Sequence, residues 1–363
     1  MPLLEMVCIH EFSKIWIKYL ISRHPVILVI MPLVDRYGRP VKGVRISVMP
    51  SSRCNFNCIF CHHEGIHENP EVIMTPNEIE RIVRILMRFG IDSVKLTGGE
   101  PMLRSDILEI VERLGRLGLR DLSMTTNGTR IPELASELRE KGLKRVNISL
   151  HSLNPKRYCW ITGHREDVGE KVYRYTLEAI KASLDAGLNP IKLNVVVMRD
   201  VNDDEIDNFI SFIEKLDSSG KVILQLIELI PLGPFKGEFY ERYHYDLGEV
   251  EERFSKIAVK KIIRRLHLRH QYLLPNGVWV EFVRPVNNYV FCMNDNRIRI
   301  THDGKFKPCL MRNDNHVNFL NAMRSGASDE ELEKLFLKAV YLREPYYKPP
   351  NIKPRPDISW SDR

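Results

Sequence analysis

The sequence predicts an α/β protein, a partial (β/α)6 barrel with a C-terminal region covering the barrel mouth. Three observations point to it. From residue 44 to about residue 228, six short apolar runs alternate with amphipathic helical patterns. The spacing leaves one helix between successive runs, which implies parallel strands with right-handed crossovers. After Pro231-Leu-Gly233 the alternation ends, so the remaining chain forms a different region.

The first run, residues 44–48, leads into a cysteine-rich loop. The next helix begins at Thr75-Pro76-Asn77-Glu78, a capping box with proline at the first helical position. Ile79, Ile82, Val83 and Leu86 fall on one face, and Gly90 stops it. Strand-like runs at 93–97, 121–126, 145–150, 191–197 and 222–229 follow, with helical patterns at 105–117, 132–141, 174–186 and 203–216 between them. A doubly wound open sheet would read much the same; in either fold, function gathers at the C-terminal ends of the strands. Residues 236–340 hold a basic stretch (256–270, six Lys/Arg and no acid), an Arg/Ile alternation at Asn296–Thr301 and a terminal helix around 330–340. The tail, 341–363, is rich in proline and is expected to be extended.

Composition sets the class. The 363 residues carry 54 Lys+Arg against 47 Asp+Glu, a net charge of +7, with 44% hydrophobic residues. This is globular, and the charge suits an anionic ligand but is too spread out for nucleic acid. Residues 1–30 read as an N-terminal extension. Their longest uncharged stretch, 24–34, holds two prolines and is too short to cross a membrane. Without a basic n-region or a cleavage site, a reducing cytoplasm is the expected compartment. Seven cysteines, odd and sparse, argue against a disulfide scaffold.

Three of the seven stand in Cys54-Asn-Phe-Asn-Cys58-Ile-Phe-Cys61, on the loop after the first strand. Structural zinc wants four closed ligands, and only His62 or His63 offers a fourth here. A cubane iron–sulfur cluster held by three cysteines leaves one iron open to a further ligand, and it is the preferred reading.

This Cys-x3-Cys-x2-Cys loop resembles that of the radical S-adenosylmethionine (SAM) superfamily, and Thr97-Gly98-Gly99-Glu100-Pro101 resembles its second-strand element. The resemblance implies a 4Fe–4S cluster on Cys54, Cys58 and Cys61, and SAM contacts at Phe60, Gly99, Ser149 and Ile230. Within that superfamily the chain is similar to the GTP 3′,8-cyclase family of molybdenum cofactor biosynthesis. The similarity runs from about Leu33 to about Asn315 through Leu33-Val-Asp-Arg-Tyr-Gly-Arg39, Thr125-Thr-Asn-Gly128, Val146-Asn-Ile-Ser149, Lys192-Leu-Asn194, Phe291-Cys292, Asn296-Arg297-Ile-Arg299-Ile-Thr301 and Cys309-Leu310. It implies GTP contacts at Arg45, Lys95, Thr125, Lys192, Arg297, Ile298 and Arg299, with no catalytic residue beyond the cluster ligands. Two arginines on one face of a strand suit a triphosphate, since each guanidinium forks onto phosphate oxygens.

The implied chemistry is reductive cleavage of SAM to a 5′-deoxyadenosyl radical, removal of hydrogen from C3′ of GTP, and closure of C3′ onto C8 to give 3′,8-cyclo-7,8-dihydro-GTP. The implied partners are GTP, an electron donor and a downstream cyclic pyranopterin monophosphate synthase, with no nucleic acid and no membrane; a homodimer stays open.

The chain departs from the family pattern in four places. The second cluster, held there by Cys-x2-Cys-x13-Cys, meets Cys292, Asp295 and Cys309, so its middle ligand is a carboxylate. Two extra residues stand between Arg45 and Cys54, Ile230 replaces a methionine, and the tail lacks a closing Gly-Gly. Cys8 and Cys159 have no assigned role. The alternatives are a radical SAM enzyme acting on a peptide, a degenerate family member, and a zinc-dependent nucleic-acid module.

Overall fold

In the computed structural model the described residues are 17–18, 29–30, 33–66, 71–217, 219–232 and 236–354. The N-terminal extension, with Cys8, lies outside them apart from a short antiparallel pairing of Ile17–Lys18 with Val29–Ile30.

The six anticipated strands form as β1 (Gly43–Met49), β2 (Ser93–Gly98), β3 (Asp121–Thr126), β4 (Arg145–Ser149), β5 (Ile191–Val197) and β6 (Val222–Glu228). Each pairs in parallel with the next. The helices between them are α1 (Pro76–Met87), α2 (Ile107–Gly115), α3 (Ile131–Glu140), α4 (Pro155–Thr162), α5 (Glu166–Asp185) and α6 (Ile206–Leu216). The Thr75–Glu78 capping box is present at α1. Alternate strand residues explain the layering. Val44, Ile46, Val94, Leu96, Val146 and Leu193 pack into the apolar core beneath the helices. Their neighbours Arg45, Lys95, Asn147 and Lys192 turn to the other face. The inner face is therefore polar, and the barrel encloses a cavity where many β/α barrels pack side chains.

The C-terminal region forms α7 (Glu238–Tyr243), α8 (Gly248–Ile257), β7 (Lys260–Ile263), β8 (His270–Leu273), β9 (Trp279–Val283), α9 (Tyr289–Met293), β10 (Arg297–Ile300), β11 (Lys305–Lys307), β12 (Val317–Asn318), α10 (Leu320–Arg324) and α11 (Asp329–Tyr341). It extends the barrel sheet at both edges. β10 runs parallel to β1 and β9 parallel to β6, giving a sheet ordered β12-β11-β10-β1-β2-β3-β4-β5-β6-β9-β8-β7. The two wings also meet: the His267 amide donates to the carbonyl of Asn294 (2.9 Å), and the His267 ring stacks on Phe291 (centroids 3.7 Å). Among the described residues no helix is long and apolar enough to cross a membrane.

Candidate active site

The strand ends build the site. After β1 the chain turns at Ser51–Arg53, with the Arg53 amide on the carbonyl of Pro50 (3.0 Å), and the register of β1 against β2 shifts between Ser47 and Met49. Arg45 is in register with Lys95 on the neighbouring strand. The loop that follows places Cys54, Cys58 and Cys61, all free thiols, on one cavity of about 420 Å³. Gly99 makes room for that loop. A Cβ on it would stand 2.4 Å from the carbonyls of both Arg53 and Pro50, a distance only hydrogen tolerates.

Burial pushes the Cys54 thiol up to about 11 and raises Cys58 well above the usual thiol range, and the neighbouring thiols add to both shifts. Three enclosed sulfurs that oppose one another's ionisation call for a positive centre to hold them as thiolates. Among the described residues no three His, Cys, Asp or Glu side chains are grouped to hold a single metal ion. A cubane spreads its ligands over separate irons, and the thiol set fits one.

Phe60, Ser149 and Ile230 line the same cavity, and Phe60 meets His151 edge-on (4.7 Å). Glu100, just after β2, has its carboxylate taken up by neighbouring donors. It accepts from Thr126 Oγ1 (2.7 Å) and the amides of Asn127 (2.7 Å) and Met102 (3.0 Å), and burial raises it to about 7.

Deeper in the barrel lies a layer of cations. Lys307, Arg299, Arg45 and Lys95 are successive cross-strand partners on β11, β10, β1 and β2. Nine Lys and Arg side chains border the cavity against five carboxylates, so it is a site for an anion. Lys95 donates to Asn147 Oδ1 (2.8 Å). Burial, reinforced by Arg145, Arg45, Arg297 and Lys192, holds it well below the usual lysine range. Lys192 pairs with the buried Glu281, which Arg269 also reaches (2.9 Å). Burial still lowers Lys192 to about 7 against that partner. Burial also lowers Arg297 to about 9; Asp295 opposes the shift, and Arg299, Arg269 and Arg45 reinforce it. Thr125 borders this layer.

Ile298 does not join the group. Strand alternation turns its side chain to the opposite face of β10, fully buried in the core, so only its arginine neighbours face the cavity.

Cys292 on α9, Asp295 and Cys309 border the same cavity. Asp295 Oδ1 accepts from His267 Nε2 (3.1 Å) and the Arg297 amide (3.1 Å), while Oδ2 has Arg343 Nη2 at 4.0 Å. One carboxylate oxygen is thus fixed by donors and the other is left open, as suits a ligand oriented by an outer hydrogen bond.

Several residues escaped the sequence reading. Glu64, Asn147, Glu281 and His267 act through partners far away in the chain. Tyr346 and Tyr347 bring the proline-rich tail to the cavity, where the Tyr347 backbone lies against Cys292. Cys159 is buried on α4, away from the cavity.

Known proteins resemble this chain along most of its length. A model of the radical SAM superfamily matches residues 48–213, and one named Molybdenum Cofactor Synthesis C matches residues 222–349. A probable GTP 3′,8-cyclase of Thermococcus kodakarensis is 49% identical over 320 residues, covering 87% of this chain and 100% of the relative. Its namesake from Pyrococcus abyssi is 48% identical over 319 residues, covering 87% and 99%, and that from Saccharolobus solfataricus is 43% identical over 320 residues, also 87% and 99%. Among solved structures, Streptococcus suis SuiB bound to S-adenosylmethionine superposes with a TM-score of 0.58 at 17% identity, covering 86% of this chain and 68% of that one. Native anSMEcpe with bound AdoMet gives 0.55 at 16% identity, covering 83% and 80%. At those identities the likeness concerns the fold.

Proposed function

Because the chain belongs to the radical SAM superfamily and, within it, to the GTP 3′,8-cyclase family, we propose that the barrel cavity seats SAM beside the Cys54–Cys58–Cys61 loop and GTP on the cation layer. The enzyme is a lyase of molybdenum cofactor biosynthesis that joins C3′ to C8 within one GTP molecule. When bound and reduced by one electron, the 4Fe–4S cluster with SAM supplies a 5′-deoxyadenosyl radical.

The chain's own residues bind, orient and shield. Arg45, Arg297 and Arg299 take the triphosphate; Lys95 and Lys192 add charge, and Thr125 a hydroxyl. Phe60 flanks the adenine of SAM, Gly99 and Ile230 bound its site, and Ser149 gives its carboxylate a hydroxyl donor. Fixing the ribose against the base is the main demand, because an unconstrained nucleotide swings C8 away from C3′. Tyr346 and Tyr347 help close the cavity to water. In this division residues 31–235 carry the radical chemistry and Arg45, and residues 236–340 bring Arg297, Arg299 and a second 4Fe–4S site on Cys292, Asp295 and Cys309. An external electron donor serves the reaction, and a cyclic pyranopterin monophosphate synthase consumes the product. Cysteine-held clusters need reducing surroundings, so we place the enzyme in the cytoplasm.

The observation that carries this reading is a cavity bordered by two cysteine sets and nine cations. The test is anaerobic turnover of reconstituted protein with SAM and a reductant. 5′-Deoxyadenosine should form in proportion to GTP. Formation that ignores GTP but responds to a peptide would transfer the protein to another radical SAM activity.

A further inference from the structure

The turn after Cys61 carries a carboxylate into the cation layer. Glu64 Oε1 accepts from Arg45 Nη2 (2.6 Å) and Thr97 Oγ1 (2.9 Å), and Oε2 accepts from Arg299 Nη1 (2.7 Å). Arg45 and Arg299 are direct partners on adjacent strands, where like charges repel. Glu64 sits between them, 8% exposed. The backbone that delivers it is unusual. His63 (φ 50°), Glu64 (φ 53°) and Gly65 (φ 67°) are successive left-handed residues. Gly65 is pressed against the segment after Cys309, and a Cβ there would stand 2.2 Å from the carbonyl of Leu310. Such a turn persists only where its surroundings hold it, and conformations of this kind cluster at functional sites.

We infer that Glu64 is the positioning residue of the triphosphate site, gathering Arg45 and Arg299 into one fork before GTP arrives. Each guanidinium spends an N–H on the carboxylate and keeps others for phosphate oxygens. Nine cations against five carboxylates leave the cavity positive even with Glu64 counted. Without Glu64, the two side chains would splay, and GTP would have to order them at the expense of affinity. The inference rests on the GTP reading above.

The test is equilibrium binding of GTP, guanosine and SAM to anaerobically reconstituted full-length protein and its E64Q variant. Glutamine keeps the shape but turns one acceptor into a donor, so one guanidinium is released. GTP should bind at least about tenfold more weakly. Guanosine and SAM affinity and the absorbance near 400 nm should not change, and KM for GTP should rise with kcat retained. Equal or tighter GTP binding by E64Q overturns the inference, the second case making the carboxylate a competitor for the site. If E64Q loses its absorbance, T97V tests the same arrangement, because it removes the hydroxyl shared by Arg45 and Glu64 and leaves the turn intact. T97V should bind GTP several-fold more weakly, and unchanged affinity overturns the inference. Wild-type protein that binds no GTP would instead defeat the substrate reading, before any variant is compared.

Discussion

Lys192 shows what a buried cation needs. It contacts Glu281 and Gln225, has Arg269 and Arg264 nearby, and loses its proton near pH 7. Below that pH it is charged, and above it neutral. A triphosphate placed beside it restores the proton, so the Lys192 contribution to GTP binding should be full below pH 7 and weaken toward pH 9. At pH 8 binding should take up close to one proton. Calorimetry in two buffers of different ionisation heat measures this uptake, and K192R, which stays charged, should remove the Lys192 share of it and leave any contributed by Lys95. Asp295 makes a second residue-scale prediction. If its open oxygen ligates iron, the wild-type protein should hold about eight irons per chain, D295A about four, and D295C about eight again. About four in the wild type would remove the second cluster.

At the scale of elements, Gly99 joins β2 to the cysteine loop. G99A should leave the circular dichroism spectrum intact yet displace the loop, reducing iron bound after reconstitution by more than half. Anaerobic iron analysis checks this. The same scale explains what was legible in the sequence. β1 to β6 could be read because each strand buries one face in apolar core, and β10 because arginines alternate with isoleucines. β7 could not: all four of its residues are exposed, so no burial period marks it. α4 had a signal that passed unread, an Asn154 cap followed by proline at the first helical position. The cysteines, Arg45, Lys95 and the β10 arginines were identifiable from motifs. Glu64, Glu281 and His267 were not, because their roles come from strand register and wing contact between segments far apart in the chain.

For the whole molecule, the C-terminal region is a sheet partner as much as a substrate region. Cutting the chain after Leu232 would bare most of β6 and residues 43–46 of β1, each strand losing a parallel neighbour. Unpaired edges invite intermolecular pairing, so the shortened protein should aggregate on size-exclusion chromatography and not elute as a free barrel. The cation layer has another effect. Like charges held side by side inside the barrel strain the folded state whenever no anion is bound, so the protein without nucleotide is the less stable form. Inorganic tripolyphosphate should then raise the melting temperature without any chemistry, gaining about 2.7 kcal/mol at a hundred times its dissociation constant. Nucleotide supply would thus govern the enzyme's persistence as well as its rate, because the substrate completes the countercharge that Glu64 and Glu281 supply only in part.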